Sequence, residues 1–330
     1  MKLPTRRSAP AVPPPTVASH GSPEQVEARL RRFEVLVLRR LEGLLQGNHV
    51  GLLPGPGSER AESREYRIGD DVRRMDWAVS ARTTIPHVSD LIADHELTTM
   101  AVVDLSPSME FGTATWEKRD LAMAATTAFG TLTTRLGSRF GAVLLSGDPE
   151  RPVRQLPSQT GRNALRRVIR GMAETPRSGL DRALPVPRSA GPGIADALDR
   201  LARTPTRRGL VVVVSDLLGS PTAWERPLRA LTARHQVLAV EITDPRELEL
   251  PSMGLLTLVD PETGRLLEVD TGSAKLRARY AEAAQAQRGE VAAALRRSRA
   301  GHLILRTDRD WLLDIVRHVA RTKRHRGLAA

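Results

Sequence analysis

The chain has 330 residues, of which 40% are apolar and 3% aromatic, so it is long enough to build an aliphatic core in one large or two modest domains. It contains no cysteine, which excludes disulfides, thiolate metal ligands and cysteine nucleophiles. The formal net charge of +12 suggests an anionic partner, but nearly all of the basic residues are arginine, a skew that a GC-rich genome also produces.

The sequence predicts a soluble, cytoplasmic protein. No apolar run approaches the ~18 residues that a membrane-spanning helix needs. The basic residues near the N-terminus are followed by prolines and not by the apolar core of a signal peptide. The absence of cysteine fits a reducing compartment.

The first two predicted units are a Pro-rich tail and an amphipathic helix. Residues 1–21 are rich in Pro, Ala and Ser, which predicts disorder or local polyproline II structure. Residues 22–47 follow as a helix, because Ser22 and Pro23 are typical of a helix start. We expect its apolar stripe to dock on the protein's own domain, although a partner helix or a membrane surface is an alternative. The stripe consists of Val26, Leu30, Phe33, Val37, Leu41 and Leu44.

Residues 48–97 form a charged segment without a clean helical period. Opposite charges lie close together in it, and it also contains Tyr66 and Trp77. This pattern predicts an ion-pair network that braces a loop-rich or β structure, with Trp77 as its anchor. A solvated charged loop is the alternative, but it would not need the two aromatic residues. The charged residues are Arg64, Glu65, Asp70, Asp71, Arg73, Arg74, Asp76 and Arg82.

A short apolar run, Met100 to Val103, ends in a cluster of oxygen-bearing side chains. It predicts a buried parallel strand that delivers its loop to the carboxyl edge of a sheet, where ligands bind in open α/β folds. Asp104, Ser106 and Ser108 then offer three hard oxygen ligands, a set suited to Mg²⁺ or Mn²⁺. The alternative is a serine-rich turn that caps the next helix.

Helices and strands alternate through the rest of the chain, which predicts an α/β domain over residues 98–321 with a doubly wound, mostly parallel sheet. A basic, frayed tail is expected over residues 322–330. The predicted helices are 117–137, 161–172, 193–202, 222–235, 274–299 and 310–321. The predicted strands after the first are 140–145, 153–156, 210–214, 236–242, a hairpin of 255–260 with 265–270, and 302–305.

The most apolar strand, Leu210 to Val214, also ends in a carboxylate, Asp216. Two parallel strands that each deliver an aspartate to the same edge strengthen the case for a metal site. We therefore expect Asp216 to lie close to Asp104.

The runs REYRIGDDVRRMDWAVSAR and VVDLSPSMEFG together resemble the signature of the domain of unknown function 58 family, bacterial proteins with a von Willebrand factor A-like domain. The resemblance covers about Gly51 to Arg321 and includes VVVVSDLL and VDPETGRLLEVD. It implies a Rossmann-like α/β fold with a metal-ion-dependent adhesion site.

The resemblance also implies which residues form that site. Such a site uses an aspartate and two serines on one loop, a threonine on a second and an aspartate on a third. Asp104, Ser106, Ser108 and Asp216 match this pattern, but the threonine is replaced by Pro192 or Gly193, which have no side-chain oxygen. The expected site is therefore partly degenerate, and a partner could supply the missing oxygen.

Family members are typically encoded beside MoxR-type AAA+ ATPases, so the resemblance implies a chaperone-like role in protein assembly or maturation with such a partner. The chain itself contains no G-x-x-x-x-G-K-[ST] sequence, so any ATP-driven work would come from the partner.

Three functions remain open on the sequence. The first is a non-catalytic adaptor in which a partner's acidic side chain completes the coordination of the metal. The second is a metal-dependent phosphohydrolase with Asp104 as nucleophile or ligand, but position 106 is a serine where the haloacid dehalogenase pattern needs an acid. The third is a nucleic-acid binder that uses its arginines, although its aromatic residues are few for a stacking surface.

Overall fold

The computed structural model describes residues 35, 37, 39, 63–66, 72, 75–89, 98–135, 137–148, 150–177, 193–260 and 265–327. The predicted Pro-rich tail, most of the predicted N-terminal helix, much of the charged segment and Pro192 lie outside these residues.

A six-stranded sheet organises the domain. Its strands are β3 (Thr98–Leu105), β4 (Arg139–Ser146), β5 (Val153–Gln159), β6 (Gly209–Ser215), β7 (Gln236–Thr243) and β10 (Gly301–Arg306). Their order across the sheet is β10-β7-β6-β3-β4-β5. All neighbouring pairs are parallel except β4 and β5, which are antiparallel. The predicted doubly wound, mostly parallel α/β fold is confirmed.

Helices cover both faces of this sheet, because its central strands are apolar on both sides. Alternate residues of β3 point to opposite faces: Ala101 and Val103 join one apolar cluster, and Met100 and Val102 join the other. The first cluster packs against α2 (Lys118–Arg135), α3 (Arg162–Glu174) and α8 (Trp311–Gly327). The second packs against α4 (Ile194–Arg203), α5 (Pro221–Thr232) and α7 (Ala274–Arg297).

Helix α8 extends the domain further than the sequence predicts. The expected helix ends at Arg321 and the expected basic tail begins at residue 322, but the observed helix continues through Gly327. Arginine and lysine are good helix formers, so a basic run can continue a helix.

Two short elements near the carboxyl edge of the sheet were not predicted. A 3₁₀ turn, Pro107–Glu110, follows β3 directly. Helix α6, Pro245–Leu248, follows β7 and begins with Asp244 as its N-cap. Both are four residues long, which is too short to show an apolar period.

The described part of the charged segment contains regular structure. Strands β1 (Ser63–Glu65) and β2 (His87–Ser89) form an antiparallel pair, and α1 (Trp77–Thr83) precedes β2. The prediction that Trp77 anchors this segment is wrong, because Trp77 is 71% exposed at the first position of α1. Asp76 holds the helix start instead: its carboxylate accepts hydrogen bonds from the backbone N–H groups of Ala78 and Val79.

Residues 35, 37 and 39 of the predicted N-terminal helix are helical. Val37 is fully buried in the core cluster that contains β3 and α2, whereas Val35 is 45% exposed. At Val37, therefore, the predicted stripe docks on the protein's own domain.

Strands β8 (Leu255–Val259) and β9 (Leu266–Asp270) form the predicted hairpin as a separate two-stranded sheet. Among the described residues, no helix is both long and apolar enough to cross a membrane.

Candidate functional site

The predicted metal ligands lie at the carboxyl ends of two adjacent strands. Asp104 is the penultimate residue of β3, Ser106 is the N-cap of the 3₁₀ turn, and Ser108 lies within that turn. Asp216 follows β6, which pairs directly with β3. All four side chains are buried. The structure therefore brings the two loops to one edge of the sheet, as the strand pattern predicts.

Asp104 is held from both sides. Its Oδ1 accepts a hydrogen bond from the backbone N–H of Ser106 at 3.0 Å, and its Oδ2 accepts one from the hydroxyl of Ser215 at 2.6 Å. The hydroxyl oxygens of Ser106 and Ser108 lie 3.2 Å apart. One carboxylate and two hydroxyls are thus gathered in a short loop.

Burial, together with the negative charge of Asp216, raises the pKa of Asp104 to about 6. The hydrogen bonds from Ser106 and Ser215 oppose this rise. A nearby positive charge stabilises the ionised form of a buried carboxylate that lies close to a second carboxylate. The electrostatics at this place therefore favour a cation.

A lysine supplies one such charge. Lys118 is fully buried at the start of α2, and its Nζ lies 2.8 Å from Oδ2 of Asp216. The same ammonium group donates to Oε1 of Glu247 on α6. Burial alone would lower the pKa of Lys118, but the two carboxylates raise it, so the group stays charged.

The charged cluster continues away from Asp216. Arg288 on α7 donates to the backbone carbonyl of Asp216 at 2.7 Å and to Oε1 of Glu241 at 2.8 Å, and it lies 3.4 Å from Oε2 of Glu247. His302 Nε2 lies 2.6 Å from the other oxygen of Glu241. A chain of buried or half-buried charges therefore joins the edge of β6 to β10.

Arg119 fixes the loop that follows β3. Its Nη1 donates to the carbonyl of Leu105 at 3.3 Å and pairs with Oε1 of Glu110 at 3.1 Å. Its Nη2 donates to the carbonyl of Thr175 after α3. These contacts clamp both ends of the 3₁₀ turn that carries Ser108.

The donor set fits a hard divalent cation. Two carboxylates and two hydroxyls offer only oxygen, which is what Mg²⁺ and Mn²⁺ prefer. The two donor carboxylates, Asp104 and Asp216, are accompanied by two further carboxylates and two cationic side chains: Glu241 and Glu247, with Lys118 and Arg288. In the described part of the chain, no group of three or more His, Asp or Glu side chains is arranged for a metal.

Pro192 and Gly193 are the residues predicted to stand in place of the missing threonine, and the structure describes Gly193. Gly193 is the N-cap of α4, and its backbone N–H donates to the carboxylate of Asp196 at 3.0 Å. A Cβ at Gly193 would meet no described atom within 4 Å. Space for a side chain therefore exists at this position, although the chain places none there.

Sequence reasoning missed several residues of this site: Lys118, Arg119, Ser215, Glu247 and Arg288. One signal was present for Glu247, because Asp244-Pro245-Arg246-Glu247 has the spacing of a capping box directly after β7, a third strand of the same sheet. Lys118 is one of only four lysines in an arginine-rich chain, but nothing local indicates its partners.

A family model and several mycobacterial proteins are similar to most of this chain. A family model described as "Protein of unknown function DUF58" matches residues 62–290. The "Uncharacterized protein Mb1516" of Mycobacterium bovis and the "Uncharacterized protein Rv1480" of Mycobacterium tuberculosis are each 47% identical over 328 residues, 99% of both chains. A Mycobacterium avium protein, "Uncharacterized protein MAV169", is 44% identical over 176 residues, 53% of this chain and 97% of that protein.

Solved structures with a similar arrangement share little sequence with this chain. The conserved hypothetical protein BatB from Bacteroides thetaiotaomicron is 16% identical with a TM-score of 0.37, covering 69% of this chain and 99% of that one. A von Willebrand factor type A structure from Catenulispora acidiphila is 14% identical with a TM-score of 0.31, covering 48% and 35%. The strand order of the sheet, and not these superpositions, carries the fold assignment.

Proposed function

Because this chain belongs to the DUF58 family and carries oxygen-bearing side chains at the carboxyl edge of a mostly parallel α/β sheet, we propose that it is a non-catalytic protein-interaction adaptor with a von Willebrand factor A-like domain. Asp104, Ser106, Ser108 and Asp216 would hold Mg²⁺ or Mn²⁺ at the carboxyl edge of the sheet. A divalent ion held by these residues would also bind a carboxylate of a partner protein, from an aspartate or a glutamate.

The convergence of the four oxygen-bearing side chains carries this proposal. Asp104 and Asp216 come from adjacent strands, and the hydroxyls of Ser106 and Ser108 lie 3.2 Å apart beside them. The negative charge of Asp216 beside the buried Asp104 favours a cation at this edge.

The composition of the loop favours a ligand role for Asp104 over a catalytic one. Position 106 is a serine, where the haloacid dehalogenase pattern needs a second acid. The hydrogen bonds from the Ser106 N–H and the Ser215 hydroxyl hold the Asp104 carboxylate in a fixed orientation.

We expect the partner to be a MoxR-type AAA+ ATPase that presents an acidic side chain, as the family resemblance implies. The net charge of +12 favours the approach of an acidic surface. Assembly or maturation of a third protein would then draw its energy from ATP hydrolysis by the partner.

Titration calorimetry with MgCl₂ and MnCl₂ tests the cation site. Wild type is expected to bind, and Asp104→Ala is expected to lose binding because it removes the buried carboxylate. Asp199→Ala, which removes an exposed carboxylate of α4, is the matched control and should bind like wild type. Circular dichroism melts check that each variant is folded.

The partner step is tested separately, by measuring binding of the ATPase encoded nearest to this gene with Mg²⁺ or with EDTA. Binding that needs both Mg²⁺ and Asp104 supports the proposal. Absence of cation binding by wild type, with and without the ATPase, would refute it.

A further inference from the structure

A second surface, separate from the cation site, lies along the outer strand of the sheet. Strand β10 pairs with β7 on one side, and no strand of the described chain pairs with its other side. A groove of about 640 Å³ runs beside β10, between α7 and α8. An edge strand presents a row of backbone N–H and C=O groups that can pair with another extended chain.

The outward face of β10 is partly apolar. Ile304 lies opposite Glu241 of β7 and is 50% exposed, with His302 and Arg306 on either side of it on the same face. Leu303 and Leu305, on the other face, are buried in the core. An exposed isoleucine in the middle of an edge strand is what a strand-adding ligand would cover.

Arginines outnumber acidic residues along the groove. Glu241 and Asp314 are the acidic residues that line it, against five arginines: Arg288, Arg306, Arg309, Arg317 and Arg321. His302 and His318 also line it, and burial lowers the pKa of His318.

Three of these arginines have acidic partners within the protein. Arg288 pairs with Glu241 and approaches Glu247, and Arg306 pairs with Asp308 at 2.8 Å. Arg317 lies 3.8 Å from Asp314, but its side chain is 60% exposed. Arg309, Arg317 and Arg321 are exposed. Arg317 and Arg321 lie one turn apart on α8, so their side chains follow the same face of the helix.

We infer that the groove along β10 binds an extended acidic peptide segment of a partner protein, which adds a strand to the open edge of the sheet. A peptide of about six residues would span β10 at ~3.3 Å per residue. Its backbone would pair with β10, its apolar side chains would cover Ile304, and its carboxylates would meet Arg309, Arg317 and Arg321.

A nucleic acid is a weaker fit for this groove. No Phe, Tyr or Trp is among its described lining residues, so the groove offers no platform on which bases could stack. The open strand edge and Ile304 would also have no role with a phosphate backbone.

The test uses a fluorescein-labelled peptide of alternating Glu and Val, with binding followed by fluorescence anisotropy. EDTA is present throughout, so that no divalent cation occupies the site proposed at Asp104. A failure of peptide binding then says nothing about the cation site, and a failure of cation binding says nothing about the groove. Two further probes are the same peptide N-methylated at alternate residues, which cannot pair as a strand, and an oligothymidylate of matched charge.

Wild type is expected to bind the Glu/Val peptide, and to bind the N-methylated peptide and the oligothymidylate at least about tenfold more weakly. Arg317→Glu should weaken peptide binding by about tenfold, because it places a like charge against the carboxylates. Ile304→Glu should weaken it similarly by removing the apolar contact and adding a charge. Arg162→Glu, the same charge reversal on α3 at the far side of the sheet, is the matched control and should bind like wild type.

Three results would overturn the inference. The first is no binding of the Glu/Val peptide by wild type. The second is equal binding of the N-methylated peptide, which would show charge attraction without strand pairing. The third is equal or tighter binding of the oligothymidylate, which would identify a nucleic-acid surface.

Discussion

Lys118 places a buried positive charge directly beside the proposed cation site. Its ammonium group lies against Asp216, one of the proposed ligands, and against Glu247. A fixed positive charge at this place stabilises the carboxylates without a metal, and it also competes with a metal for Asp216. We therefore expect the cation affinity of the proposed site to depend on a residue that is not itself a ligand.

Replacing Lys118 with Met is expected to destabilise the protein in EDTA by ~3–5 kcal/mol, because removing one partner of a buried ion pair leaves an uncompensated charge. Mg²⁺ or Mn²⁺ should then raise the melting temperature of the variant more than that of wild type, since the ion replaces the lost charge. Thermal melts with and without the ion measure both effects.

Lys275→Met is the control for this substitution, because Lys275 is exposed at the start of α7. It should change neither the stability nor the response to the ion. Equal stabilisation of wild type and Lys118→Met by the ion would contradict competition between Lys118 and the metal.

At the scale of single side chains, residue type alone does not predict burial, as the exposed Trp77 shows. A tryptophan in a charged segment suggests a buried anchor, but Trp77 is exposed and Asp76 organises the local structure by capping α1. Burial depends on what packs over a side chain, and this information is not local in the chain.

At the scale of elements, Asp244 joins three parts of the fold. Its carboxylate accepts hydrogen bonds from Thr113 after the 3₁₀ turn, from the backbone N–H of Arg246 in α6, and from the hydroxyl of Thr307 after β10. It thereby fixes α6, which carries Glu247, against the loop that follows the site.

Asp244→Asn should lower the free energy of unfolding at neutral pH by ~1–3 kcal/mol, because an amide group would face several donors with one acceptor oxygen. Burial alone would raise the pKa of Asp244, but these hydrogen bonds hold it below its ordinary value of 3.8. The stabilisation is therefore complete above pH 3.8 and is lost as the pH falls through the lower folded-state value.

Urea denaturation of wild type and Asp244→Asn from neutral to acid pH measures this effect. The difference in stability should be constant near neutrality and should shrink at acid pH. Asp199→Asn, at an exposed carboxylate, should differ from wild type by less than ~0.5 kcal/mol throughout. A difference that grew as the pH fell would contradict the assigned role.

At the scale of the whole molecule, Val37 connects the region before the charged segment to the core of the α/β domain. It is fully buried in the cluster formed by β3, α2 and α8, although it lies far from them in sequence. Val35, two residues away, is 45% exposed. The apolar stripe predicted from the sequence contains Val37 and omits Val35.

Val37→Asp is expected to destabilise the protein by several kcal/mol, because it buries an unpaired charge in this core. Val35→Asp makes the same chemical change at an exposed position and should cost less than ~0.5 kcal/mol. Chemical denaturation of both variants compares them directly. Equal losses would show that Val37 does not dock in the core.

Local patterns in the chain predict its main elements and the edge of the sheet where the candidate site lies. Apolar runs and helical periods placed the main strands and helices to within a few residues, because strong periodic patterns reflect the faces that each element buries. Asp104 and Asp216 lie at the carboxyl ends of two predicted parallel strands, and such ends share one edge of the sheet. The sequence therefore predicted that the two carboxylates lie close together.

Which charged side chains meet depends on how distant elements pack together. Lys118, Asp216 and Glu247 come from α2, the end of β6 and α6, and no local pattern relates them. The open edge at β10 likewise follows from strand order, which alternation of helices and strands does not specify. The physical reason is that ion pairs and sheet edges depend on distances between elements, whereas periodicity reports only which face of each element is buried.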